Sequence, residues 1–86
     1  MKILYKATFI RQFDKLEKDL QDEIIEKIEL FKNVSNHKNL KVHKLKGKLC
    51  DCYGFSVNYN YRIIFEYIKK DEAHLLSIGD HDIYKQ

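Results

Sequence analysis

The chain has no proline, only three glycines, no internal repeat and no low-complexity tract in its 86 residues. Nothing in it marks a linker, so a single domain spanning residues 1–86 is expected. At this length it buries about 60–65% of the surface that its unfolded chain exposes. No apolar run approaches the ~18–20 residues that a membrane span requires, and no membrane partner is expected. MKILYKATFI alternates and carries two lysines, which fits a strand better than a signal peptide. The two cysteines, Cys50 and Cys52, lie two apart without a distant partner. That spacing makes neither a disulfide framework nor a complete zinc site, and reduced structural thiols in a cytoplasmic protein are expected. There is no glycine-rich phosphate loop, no HExxH and no serine in a nucleophile elbow. The four histidines, His37, His43, His74 and His81, lack metal-ligand spacing, so neither metal nor cofactor is expected.

Acidic residues are missing from one long interval. Hydrophobic content of 44% and charged content of 34% fit a globular chain, with a net charge of +3. Between Glu29 and Asp51 there is no carboxylate, while Lys32, Lys38, Lys41, Lys44, Lys46, Lys48, His37 and His43 all lie there. Such a stripe attracts polyanions, although a solvated loop has the same composition. Lys41, His43, Lys44, Lys46 and Lys48 are the expected RNA contacts, because they lead into the aromatic stretch that follows.

Residues Lys2 to Lys6 read as a first strand with Ile3 and Tyr5 on one face. Thr8 is expected to cap a helix, since its hydroxyl can accept an orphan backbone N–H. Phe9, Phe13, Leu16 and Leu20 then fall on one helical stripe. Asp19 or Asp22 opens a second helix, with Ile24, Ile25, Ile28 and Phe31 as its apolar face and Glu23, Glu26, Lys27 and Glu29 towards water. Glu23 and Lys27 are spaced for an i,i+4 pair. Asn33 to Asn39 has no helical period and reads as a loop.

From Leu45 to Tyr67 the period changes to two. Tyr53, Phe55 and Val57 alternate on one run, and Tyr61, Ile63, Phe65 and Tyr67 on the next, with Asn58 and Asn60 between. A turn over Lys69 to Glu72 leads to a third strand, Ala73 to Ile78, which Gly79 is expected to break. The order predicts an α+β fold: an N-terminal strand, a two-helix hairpin, then a three-stranded antiparallel meander with the helices on one face. If Ile63 and Phe65 face that core, alternation sends Arg62 to the opposite face, as a solvated arginine or a working one.

The remaining polar groups suit metal-independent RNA cleavage. That reaction needs a base for the ribose 2′-OH, a cation for the charge that develops on phosphate, and an acid for the leaving 5′-oxygen. Arg62 can be the cation, His81 can move a proton near neutral pH, and Tyr84 can stack on a base.

The segments HKLKG (43–47), DCYGFSVNYNYRIIFEY (51–67) and SIGDHDIY (77–84) resemble the RelE/ParE superfamily of toxins, and most of all its RelE branch. The resemblance implies two helices packed on an antiparallel sheet, and a type II toxin–antitoxin toxin that cleaves mRNA in the ribosomal A site. It also implies a cognate antitoxin, with DNA met only through the antitoxin complex. Arg62 falls where RelE toxins carry a catalytic arginine, and Tyr84 where they carry the tyrosine that stacks on the substrate nucleotide. His81 falls near a second RelE arginine, at a place where related branches use a histidine as acid or base. The departure lies at Gly54 and Ser56, where the resemblance implies two lysines, one of them as the base. His43, Lys46, Lys48 and Asp51 are the nearest replacements in sequence. Two alternatives stand beside the nuclease: a non-enzymatic binder of DNA gyrase, as in the ParE branch, and a decayed toxin that retains only antitoxin binding.

Overall fold

In a computed structural model, which describes residues 1–47 and 51–80, five strands form one mixed sheet. Strand β1 (Lys2–Tyr5) leads into helices α1 (Ala7–Asp14) and α2 (Lys18–Phe31). Strands β2 (His43–Lys44), β3 (Tyr53–Ser56), β4 (Tyr61–Lys69) and β5 (Glu72–Asp80) follow, in the spatial order β1-β5-β4-β3-β2. The expected meander is therefore present as β3–β4–β5, and the α+β class holds. The expected N-terminal strand, β1, joins the meander in parallel with β5, and one unexpected strand, β2, pairs with β3 at the opposite edge.

Strand pairing accounts for the misplaced helix start. The backbone N–H of Lys6 donates to the Leu75 carbonyl at 3.0 Å, so the chain stays bound to β5 up to the residue before α1 begins. Lys6, extended at φ −74° and ψ 149°, is then the N-cap in place of Thr8, which lies inside the helix and accepts a hydrogen bond from Arg11. The stripe Phe9–Leu20 is also split between elements. α1 ends at Asp14, the last turn tightens so that Leu16 N–H reaches the Phe13 carbonyl, and the Gln21 amide donates to that same carbonyl at 2.8 Å. The Phe13 carbonyl at the helix end is thereby satisfied twice by neighbours, without a terminal glycine.

Glu17 is the N-cap of α2, one residue before the helix and ahead of both expected aspartates; Asp19 sits in the first turn, where a carboxylate complements the helix dipole. Asp22 pairs with Lys18 at 2.7 Å. Ile24, Ile28 and Phe31 are buried as expected, but Ile25 is 51% exposed. With Tyr5, Ile10 and Phe13 it borders an apolar groove of about 280 Å³ between the helices. The segment expected as a loop contains a 3₁₀ turn, Val34–Asn36, whose Ser35 N–H is capped by Asn33 Oδ1 at 3.0 Å.

The core lies between the helices and one face of the sheet. Phe9, Ile24, Ile28 and Phe31 meet Phe55, Val57, Ile63, Phe65, Ala73, Leu75 and Ile78. Phe31 is its centre: it stacks on Phe55 at 4.4 Å and on His37 at 4.7 Å, and meets Phe65 edge-on. Gly79 does not end β5; it pairs with Arg62, and the strand runs on to Asp80. Past the end of β1 the exposed edge of β5 is finished by a side chain, with Ile78 N–H donating to Gln12 Oε1 at 2.8 Å. No described helix is long and apolar enough to cross a membrane.

Candidate functional site

Arg62 marks the site because its two strand neighbours point the other way. Ile63 is fully buried against the helix layer, and Arg62 lies on the far face, paired with Ser56 on β3 and Gly79 on β5. The next row across that face is His43, Gly54, Ile64 and Ser77. Small residues thus flank Arg62 on both sides, and the far face is low around it. Beyond them Leu45 and Ile64 form a second buried cluster with Cys52 and Leu76 packed against it. A register shift after Ile64 makes room for Leu76 there. At the opposite end of β4 from Arg62, His74 and Glu66 approach at 3.8 Å.

The guanidinium does not stand out from the sheet. Arg62 Nη1 donates to the carbonyls of Asn58 at 2.6 Å, Tyr59 at 3.1 Å and Tyr61 at 3.1 Å, all in the β3–β4 turn. Nε and Nη2 donate to none of the described residues. A guanidinium has five donors in a rigid plane, so anchoring Nη1 assigns the Nε–Nη2 edge to any phosphate that is bound. The turn carbonyls hold the cation without neutralising it.

The turn itself is built by Asn58. Its Oδ1 accepts the N–H groups of Asn60 and Tyr61, both at 2.8 Å, and its Nδ2 donates to Glu23 Oε1 on α2 at 2.7 Å. Glu23 therefore makes a tertiary bond where the sequence suggested a surface pair with Lys27. Asparagine early in a turn is the signal that pointed to Asn58. Nothing local pointed to Glu23, 35 residues away. Tyr59, at the tip of the same turn, is 90% exposed.

Of the expected RNA contacts, Lys41, His43, Lys44 and Lys46 are all exposed, while Lys48 lies outside the described residues. They do not share one face. His43 pairs with Gly54 and lies on the Arg62 side, whereas Lys44 pairs with Tyr53, whose ring packs on the main core. Lys41 has φ +60° at the bend into β2 and Gly47 has φ +71° just after it, so the basic segment turns at both ends. His43 Nδ1 lies 2.8 Å from the Lys41 carbonyl. A carbonyl can only accept, so Nδ1 is the donor in this contact, which fixes the orientation of the ring. The expected His81 and Tyr84 lie outside the described residues, as does Cys50.

No family model and no curated protein matches the sequence. Solved structures do match the fold across almost the whole chain. The conserved hypothetical protein HP0894 of Helicobacter pylori is 24% identical, with 95% of this chain and 96% of that one covered and a TM-score of 0.73. The toxin–antitoxin complex RelBE2 of Mycobacterium tuberculosis matches at 13% identity, 93% and 96% coverage and a TM-score of 0.71. The archaeal RelE–RelB complex of Pyrococcus horikoshii matches at 17% identity, 92% coverage of each chain and a TM-score of 0.71. The chain has the RelE-type toxin fold. The resemblance read from HKLKG, DCYGFSVNYNYRIIFEY and SIGDHDIY therefore holds at the level of the fold, and β4 carries Arg62 on the sheet face away from the helices.

Proposed function

We propose that this protein is the toxin of a toxin–antitoxin pair, a ribosome-dependent mRNA endoribonuclease of the cytoplasm that works without metal. The observation that carries this is Arg62: in a RelE-type fold it lies on the helix-free face of the sheet, with Nη1 anchored by turn carbonyls, which supports a role for its Nε–Nη2 edge towards phosphate. In cleavage the 2′-oxygen of the ribose attacks the adjacent phosphorus and its proton passes to a base. The P–O5′ bond breaks, and an acid protonates the leaving oxygen. Arg62 stabilises the charge that builds on the phosphate oxygens. His81 moves a proton, with His43 as the described residue best placed to replace the missing lysines, and Tyr84 stacks on a base of the substrate. The basic residues Lys41, Lys46 and Lys48 draw in the RNA and the ribosome.

The partner that silences it is a cognate antitoxin. Two solved structures that match the fold are complexes, one described as toxin–antitoxin and the other as RelE–RelB, which supports a partner of that kind here. A second reading follows from Gly54 and Ser56, where neither residue brings positive charge or a base to the sheet. It is a non-enzymatic toxin acting on DNA gyrase. Induction in cells separates the two: the nuclease gives new mRNA 5′ ends by primer extension, within codons on the ribosome. Growth arrest with intact mRNA and gyrase-dependent DNA breaks would replace it with the gyrase binder.

A further inference from the structure

The hydrogen bonds around the β3–β4 turn form a chain that begins on the helix layer and ends at Arg62. Glu23 Oε1 on α2 accepts from Asn58 Nδ2 at 2.7 Å, Asn58 Oδ1 holds the N–H groups of Asn60 and Tyr61, and the Asn58 carbonyl takes Arg62 Nη1 at 2.6 Å. The side chain of Asn58 sets the shape of the turn, and the turn presents three carbonyls to one guanidinium nitrogen. We propose that Asn58, oriented by Glu23, is the positioning residue of Arg62, fixing which edge of the guanidinium faces the substrate. For its kinetic consequence this rests on the nuclease function proposed above; for its geometry it does not.

Three carbonyls around a cation are more than a turn needs for its own closure. Val57 N–H already bonds the Tyr61 carbonyl at 3.0 Å, and Asn58 Oδ1 takes the two inner N–H groups. What Glu23 adds is a tie between this turn and α2, whose Ile24 is fully buried in the core. A catalytic group displaced by as little as about 1 Å can lose up to ~10² in rate, so a tie to a rigid element has a function at Arg62 that it would not have at an ordinary turn.

Asn58→Asp tests the tie selectively. Aspartate keeps the acceptor for Asn60 and Tyr61 but puts a carboxylate oxygen against Glu23. In Asn58→Asp/Glu23→Gln the donor and acceptor are exchanged, because the Gln amide now donates to the Asp carboxylate. Arginine-selective NMR reads the rotation of the Arg62 Nη groups, which the carbonyls hinder. Rotation in Asn58→Asp is expected to speed up by about three- to tenfold, the scale of one hydrogen bond, and to slow again in the double variant. Glu23→Ala, which leaves Asn58 untouched, should speed it as well. Cleavage on programmed ribosomes should fall in Asn58→Asp through kcat with little change in KM, recover in the double variant, and fall no further when Asn58→Asp is added to Arg62→Ala. Unchanged rotation in both Asn58→Asp and Glu23→Ala would overturn the proposal. So would an Asn58→Asp effect of undiminished size in the Arg62→Ala background, since the residue would then act through the fold. If the wild-type protein cleaves nothing, the nuclease function fails by itself, and the rotation rates still decide whether Asn58 positions Arg62.

Discussion

His43 faces Gly54 across the β2–β3 pair, and Gly54 faces Ile64 across the next. The imidazole thus stands beside a position where the resemblance implies a lysine and this chain has no side chain at all. Nδ1, donating to the Lys41 carbonyl at 2.8 Å, holds the ring in place there, and a histidine is a residue type that can take the proton of a ribose hydroxyl. His43→Gln is therefore expected to lower single-turnover cleavage on programmed ribosomes by ~10²–10⁴ while ribosome binding changes little. A wild-type rate in that variant would move the base to Lys46 or Lys48.

Arg62 should show a different signature. Its replacement by Ala removes charge aimed at the phosphate in the transition state, and a loss of ~10²–10³ in rate is the expected scale. Arg62→Lys should recover only part of this, because an ammonium has no planar edge to present and cannot span the three turn carbonyls in the same way. Full recovery by Lys, measured in the same single-turnover assay, would mean that charge alone matters there.

Salt dependence tests the basic segment. If Lys41 and Lys46 neutralise RNA phosphates, Lys41→Glu/Lys46→Glu should flatten the log–log dependence of binding on salt, by about 0.7 for each single-strand phosphate that is no longer neutralised. Lys44 pairs with Tyr53 and so lies on the other side of the sheet, making Lys44→Glu the internal comparison with a smaller effect. Equal slopes in wild type and the double variant, from equilibrium binding between about 50 and 200 mM salt, would show the stripe to be a solvated edge.

Local pattern reached some of this molecule and long-range pairing the rest. Period two in Tyr53–Phe55 and Ile63–Phe65 was enough to place Arg62 on the far face, since alternation is a property of the strand itself. The apolar spacing of Ile24, Ile28 and Phe31 likewise reported a buried helix face. Thr8 misled because Lys6 is still bound to Leu75 in the sheet, a tie between residues far apart in sequence. Gly79 misled because its missing side chain lies beside Arg62 in a strand held by β4. β2 is only two residues long and has no period to read. The bond from Asn58 to Glu23 is between a turn and a helix, and only the packed fold brings them together.

Phe31 carries much of the core. It is fully buried, between Phe55 and His37, with Phe65 at its edge, and the His37 ring is itself held to the Phe31 carbonyl at 2.7 Å. Phe31→Ala should destabilise the fold by about 3–5 kcal/mol, read as a lower urea midpoint. Phe31→Leu should lose distinctly less, because most of the volume stays filled. A loss under about 1 kcal/mol for the alanine variant would mean that the three partner rings close over the gap.

The last expectation concerns alkaline pH. The Tyr67 phenol is raised above its ordinary pKa of 10.0, first by burial and then by the nearby Tyr53, whose ring centre is 5.0 Å away. The fold therefore favours the neutral phenol more than the unfolded chain does. Below the ordinary value neither state ionises and this contribution to stability is complete. As pH rises through that value the unfolded chain loses its proton first, and stability falls until the folded phenol ionises too. Tyr67→Phe has no proton to lose, while Phe keeps the edge contact that the Tyr67 ring makes with Phe65 at 5.2 Å. The variant should match wild type near neutral pH and lose less stability between about pH 9 and pH 11, in urea midpoints taken at each pH. Parallel curves would mean that Tyr67 is equally wet in both states, and that the alkaline loss belongs to other groups.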